Sequence, residues 1–163
     1  MIVRPATVAD LEAIVAIENR EIASGTAHFG TTPVTVEGAL RAFEMAKGRH
    51  PWFVVEEEQV VGFARCSTWK AREAYRQTVE VGVYVDPEAQ GRGVGRTLYE
   101  SLFPAMRECG IRTVLAGIAL PNPASVRLHE AFGMEHVGTL PKVGFKFGQW
   151  IDVGYWALHF SAE

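Results

Sequence analysis

Apolar residues recur along this chain in two rhythms, and each change of rhythm marks the start of a new element. Leu11, Ile14, Val15 and Ile17 fall at helical spacing and predict a helix from Leu11 to about Ala23. Thr7 opens it as an N-cap, with Asp10 three residues on in place of the usual Glu of a capping box. Ser24 to Pro33 is polar, contains two glycines and reads as a loop. A second helix is expected from near Thr35, through Leu40, Phe43 and Met45, to Gly48. Ile2 to Pro5 predicts a short strand. Trp52 to Glu56 and Val60 to Thr68 predict a hairpin across the acidic turn Glu57-Glu58-Gln59. Trp69 to Gln77 is basic and polar, hence another loop. Thr78 to Val85 is rich in β-branched residues and stops hard at Asp86-Pro87. A helix from about Val94 to Cys109 carries Leu98, Leu102 and Met106 at helical spacing. A strand at Thr113 to Ile118, a helix from Ala124 to Phe132 behind Asn122-Pro123, and strands at Met134 to Phe145 and Trp150 to Phe160 complete the chain. This order predicts one α/β domain over residues 1–163, a mixed and mostly antiparallel sheet flanked by helices. Residues 78 to 118 supply its one parallel crossover.

Composition narrows the class. Of 163 residues, 48% are hydrophobic and 21% charged, which suits a folded domain large enough to bury a core without disulfides or structural metal. Sixteen Lys and Arg against nineteen Asp and Glu leave a net charge of −3, which argues against nucleic acid as a partner. No apolar run approaches the about 18 residues of a membrane span. Asp10, Glu12 and Glu18 interrupt any signal-like N-terminus. Cys66 and Cys109 sit in apolar segments and read as buried free thiols in a reducing, cytoplasmic setting.

The 16 glycines include three within five positions, Gly91, Gly93 and Gly95, between a strand and a helix. Free backbone N–H groups and the helix dipole favour an anion there. A dinucleotide fingerprint starting at Gly91 or Gly93 would need glycine where Arg96 or Leu98 stands, and no P-loop Gly-Lys-Ser/Thr triplet is present. The segment Gln90-Gly91-Arg92-Gly93-Val94-Gly95, behind a strand ending in Val85-Asp86-Pro87, resembles the acyl-CoA loop of the GNAT N-acetyltransferase superfamily. Asn122-Pro123-Ala124-Ser125 with Leu128-His129 resembles that superfamily's second segment, beside the pantetheine arm and thioester. The resemblance implies a GNAT fold and acetyl-CoA as cosubstrate. It implies coenzyme contacts at Val83, Val85, Gln90, Gly91, Arg92, Gly93, Val94, Gly95, Arg96, Asn122 and Ser125, with no metal. Helix capping by Asn122 or Ser125 is the plain alternative.

Acetyl transfer to an amine needs a base to take the ammonium proton, a donor to the developing oxyanion, and a proton for the departing sulfur. Glu80, on the strand leading into the glycine loop and on the same face as Gly82 and Tyr84, is the candidate base. A backbone N–H near Val81 to Val83 is the candidate oxyanion donor. His129 and Tyr84 are candidate acids, although His129 could equally be a packed helix residue.

Three further segments resemble the phosphinothricin-type branch of the superfamily: Thr26 to Pro33, Trp69-Lys70-Ala71-Arg72-Glu73-Ala74-Tyr75, and Val143 to Gly154 with its Gly144, Lys146, Gly148, Trp150 and Asp152. That branch acetylates the α-amine of phosphinothricin, methionine sulfoximine or methionine sulfone and forms homodimers. On this resemblance Arg72 clamps the substrate carboxylate and Phe29 and Tyr75 close over its side chain. Lys142 and Lys146 are weaker cation candidates. Acetylation of a peptide or protein amine, and acyl-CoA binding without catalysis, are the alternatives. The aromatic tail (Phe145, Phe147, Trp150, Tyr155, Trp156) suits either a dimer interface or the domain's own sheet.

Overall fold

A computed structural model describes residues 1–161. The expected element order is found. Strands β1 (Ile2–Pro5), β2 (Trp52–Glu56), β3 (Val60–Thr68), β4 (Thr78–Val85), β5 (Thr113–Ala119), β6 (Glu135–Lys146) and β7 (Gln149–His159) form one sheet in the order β1-β2-β3-β4-β5-β7-β6. Helices α1 (Leu11–Ser24) and α2 (Val36–Ala46) cover one face; α3 (Val94–Glu108) packs on the other, with α4 (Pro123–Ala131) beside β5. Among the described residues only β4 and β5 pair in parallel; every other neighbouring pair is antiparallel.

Strand alternation divides the core between the two faces. Val79 and Val81 of β4 pack with Leu98, Leu102 and Met106 of α3, all three without solvent exposure. Each such side chain contributes roughly 1.5–3 kcal/mol of apolar transfer. Tyr84 points the other way, onto the cluster of Phe63, Val54 and Ile14 under α1 and α2. Thr7 donates its N–H to Asp10 Oδ2 at 2.7 Å, and Asp10 is held by Arg4 at 2.8 Å, so the predicted start of α1 stands on a short 3-10 turn. Thr35 caps α2, its Oγ1 accepting from the Gly38 N–H at 3.0 Å.

Two expectations change. Cys66 is buried, its thiol pushed up to about 12 by that burial, but Cys109 is exposed because it falls past the last buried position of α3, Met106. The aromatic tail divides: Trp156 joins the core, Tyr155 turns into the cleft described below, and Phe145, Phe147 and Trp150 remain on the outer surface of the β6–β7 hairpin.

Candidate active site

The site begins where two neighbouring strands stop pairing. β4 and β5 share three register pairs, Thr78 with Thr113, Val79 with Val114 and Glu80 with Leu115. Both strands run on, to Val85 and Ala119, so they part after Glu80 and leave their facing backbone groups without a ladder partner across the gap. A cavity of about 1030 Å³ fills the opening, at the upper end of ligand-site volumes.

At one end of this cleft lies the N-terminus of α3. Gly91 (φ 74°) and Gly93 (φ 83°) hold left-handed backbone that a side chain would strain, and a Cβ on either would meet nothing within 4 Å. The space above them is open. Thr97 N–H bonds to Gly93 O at 3.0 Å, leaving the preceding amides of the first turn, at Val94, Gly95 and Arg96, free for an anion. Gly95 sits at a tight contact: a Cβ there would lie 3.1 Å from Leu128 Cδ2, so α3 and α4 approach closely. Asn122 caps α4, its Oδ1 accepting from Ser125 N–H at 3.1 Å, and its side-chain amide N–H groups donate to no protein group among the described residues.

In the middle of the cleft Glu80 is half-buried. Burial raises its carboxyl above the ordinary range, and the Gly117 backbone beside it partly offsets that shift. A Cβ on Gly117 would fall 2.9 Å from Glu80 Oε1 and 3.3 Å from Tyr155 Cε1, so the missing side chain makes the space these two groups share.

At the far end the segment from Thr26 to Gly30 borders the cleft. Beneath it, Glu18 is buried with the Arg65 guanidinium and accepts from His28 Nε2 at 2.9 Å. Burial alone would raise the Glu18 carboxyl; His28 and Arg65 together bring it below its ordinary value.

Comparison with known proteins gives the family. The Acetyltransferase (GNAT) family profile matches residues 14–134. The chain belongs to this family. It is 46% identical over 160 residues to a phosphinothricin N-acetyltransferase of Streptomyces viridochromogenes, covering 98% of this chain and 87% of that protein. It is 37% identical to an L-methionine sulfoximine/L-methionine sulfone acetyltransferase of Salmonella typhimurium, covering 97% and 94%. Among solved structures, a Salmonella typhimurium acetyltransferase determined with its cofactor acetyl-CoA superposes with a TM-score of 0.96 at 35% identity, covering 99% and 95%.

In this GNAT acetyltransferase most residues singled out in the sequence line the one cleft: Phe29, Glu80, Val83, Tyr84, Val85, Gln90, Gly91, Gly93, Val94, Gly95, Arg96, Asn122, Ser125 and His129. Three do not. Arg92 turns to Glu57 at 2.6 Å, and Arg72 and Tyr75 sit on the outer loop, where Tyr75 packs edge-on against Trp69. Arg96 lines the cleft while its Nε is held by Glu100 at 2.9 Å. His129 is buried with both nitrogens engaged. Nδ1–H donates to Ser125 O at 2.7 Å, so Nε2 accepts from the Tyr99 hydroxyl at 2.9 Å. Burial lowers its pKa, so the neutral ring has no spare proton. Tyr84 is pushed up to about 12 by burial and keeps its proton.

Sequence reasoning missed Gly117, Tyr155, Arg65 and Glu18. A glycine inside a strand, as at Gly117, does mark a close approach, and a carboxylate on an apolar helix stripe, as at Glu18, marks a buried partner. Nothing local marks Tyr155 or Arg65, because their partners lie on distant elements, β4 and β5 for Tyr155 and α1 for Arg65.

Proposed function

We propose that this protein transfers the acetyl group of acetyl-CoA to the α-amine of a small amino-acid analogue: phosphinothricin, methionine sulfoximine or methionine sulfone. The observation that carries the reading is the raised carboxylate of Glu80 at the point where β4 and β5 part, in one cleft with the glycine cradle. The names of the two similar acetyltransferases support the substrate class.

The cradle residues fit the coenzyme. The free first-turn amides of α3 hold its pyrophosphate, the inner edges of β4 and β5 border its pantetheine arm, and Asn122 and Ser125 flank that arm. When bound, acetyl-CoA supplies an activated acyl thioester. Glu80 takes the proton of the substrate ammonium, directly or through one water, and burial suits it to this by lifting its basicity toward neutral pH. Gap-side N–H groups of β4 near Val81 to Val83 donate to the acyl oxygen at no reorganisation cost. A departing thiolate with an ordinary pKa of roughly 8.5 needs no strong acid. The phenols of Tyr84 and Tyr155, both kept protonated by burial, serve as its hydrogen-bond donors in preference to His129.

Arg72 and Tyr75 enter the substrate site through a homodimer that brings one protomer's 69–77 loop to the other's cleft. The exposed Val143, Phe145, Phe147 and Trp150 of the β6–β7 hairpin support an interface there. Cytoplasmic residence fits the two free thiols, and no described helix is long and apolar enough to cross a membrane.

The test is kcat/KM for methionine sulfoximine, methionine sulfone, phosphinothricin and a lysine peptide. The free amino acids are expected to lead. A tenfold preference for the peptide overturns the substrate reading, and acetyl-CoA binding without turnover of any amine overturns the enzymatic one.

A further inference from the structure

Lys146 belongs to a segment that the sequence marks out and that the chemistry above leaves unused. It is 5% exposed, on the inward face of β6, and forms no ion pair with a carboxylate among the described residues. Its Nζ instead donates to two backbone carbonyls more than a hundred residues away, Gly25 O at 2.8 Å and His28 O at 2.7 Å, with the Phe147 ring 4.9 Å from the ammonium. A buried ammonium is costly unless it is fully hydrogen-bonded, and here its partners are the two ends of one short loop arc. Gly144, two residues earlier on the same face, carries the next residue of that arc: a Cβ on Gly144 would lie 2.3 Å from Phe29 Cε2, so the ring rests on bare backbone. Helix α1 holds the arc from the other side. Glu21 Oε1 accepts from Ala27 N–H at 3.0 Å, and Glu18 takes His28 Nε2. His28 Nδ1 then accepts from Gly30 N–H at 2.8 Å. The segment 25–30 has no helix or strand of its own, yet its backbone is tied by side chains from two separate elements.

We propose that Lys146 is a positioning residue that fixes segment 25–30 as a wall of the acceptor end of the cleft, and that Gly144 sets acceptor selectivity by seating Phe29. The proposal rests on the reading of that end of the cleft as the amine site. It also changes the part Lys146 plays. The ammonium is committed to loop carbonyls, so it orders the wall and does not bind the substrate carboxylate.

The test uses Lys146→Met, which keeps length and apolar volume, and Gly144→Ala, which displaces Phe29 and leaves the ammonium in place. In Lys146→Met the KM for the amino acid is expected to rise at least tenfold, with the KM for acetyl-CoA within twofold of wild type. Discrimination between phosphinothricin and methionine sulfone should narrow. Gly144→Ala is expected to shift the same two acceptor constants and again spare acetyl-CoA. A Lys146→Met variant whose acceptor KM stays within twofold, or whose two KM values rise together, overturns the proposal. Amide hydrogen exchange gives a readout free of activity: Ala27 and Gly30 should exchange at least tenfold faster in Lys146→Met while β4 is unchanged. Unchanged exchange at both amides overturns the proposal. Faster exchange in a protein that acetylates no amino acid upholds the latch and refutes the amine-site reading alone. If Lys146→Met does not fold, Gly144→Ala decides by the same acceptor constants.

Discussion

Gly117→Ala is the sharpest way to separate the position of the base from the stability of the fold. The new Cβ would lie 2.9 Å from Glu80 Oε1, against an ordinary contact of at least 3.4 Å, so the carboxylate must retreat by about 0.5 Å (3.4 − 2.9). Tyr155 must give less, since its ring atoms stand at 3.3 and 3.4 Å. Both groups are free to move at their outer ends, and Gly117 is not among the residues with left-handed backbone, so the fold tolerates the change. Loss of chain entropy in the unfolded state offsets the strain by about 0.4–1 kcal/mol. Catalysis is less forgiving. A misplacement of roughly 1 Å costs about 100-fold in rate, so half of that predicts about a tenfold loss. The assay is kcat from thiol release at saturating acetyl-CoA and amino acid, beside thermal unfolding and calorimetric titration with coenzyme A. The expected pattern is kcat down about tenfold, with the melting temperature within a few degrees and coenzyme affinity unchanged. A kcat within twofold of wild type would refute the reasoning, because the atom the substitution displaces would then not be the one that takes the proton.

Four other substitutions follow from the same reasoning. Glu80→Gln should lower kcat about 10²–10⁴-fold. Because burial raises the folded-state pKa of Glu80, the native protein holds that proton more tightly than the unfolded chain, and stability from this group is lost as pH rises through the raised value; Glu80→Gln should therefore melt higher than wild type at pH 8 and lose that advantage as pH falls toward 4, in unfolding scans across the range. Gly93→Ala forces a side chain onto φ 83° and should cost about 1–2 kcal/mol of stability while weakening coenzyme A severalfold in calorimetry; unchanged affinity would remove the cradle from the site. Trp150→Glu should convert a dimer to a monomer in light scattering, and Arg72→Ala should raise the acceptor KM although Arg72 lies outside its own chain's cleft; a wild-type monomer refutes both.

The elements were legible because their causes are local. The 98-102-106 stripe of α3, the stop at Asp86-Pro87 and the caps at Thr35 and Asn122 all act within a few residues of themselves. The coenzyme end was legible for the same reason: a strand end, a left-handed turn and a helix start are consecutive in the chain. The acceptor end is assembled from α1, the 25–30 segment, β5, β6 and β7, and no short window contains it. Arg72 illustrates the limit. Its loop has the composition of a binding loop, yet only the tertiary path shows that it lies outside its own cleft. Lys146 illustrates the converse, since a lysine in an exposed-looking hairpin turns out to be among the most buried charges of the protein.

The deepest of these non-local features is the parting of β4 and β5. Each strand runs on past the last pair, Val81 to Val85 on one side and Ala116 to Ala119 on the other, so the local sequence does not mark where the ladder ends. The two following helices meet beside the cleft. Both strands pack against α3, and α4 leaves β5 directly through the capped turn at Asn122. Leu128 of α4 reaches Gly95 at the start of α3, where a Cβ would also come within 3.8 Å of Val83, so the two helices meet over β4. The glycine at 95 thus has its own place beside the cradle at 91 and 93: it lets α3 and α4 approach each other at the cleft. A Gly95→Leu substitution should consequently perturb coenzyme affinity and melting temperature together, unlike Gly117→Ala, which should touch only kcat. A Gly95→Leu protein with wild-type coenzyme affinity would remove this contact from the coenzyme end of the cleft.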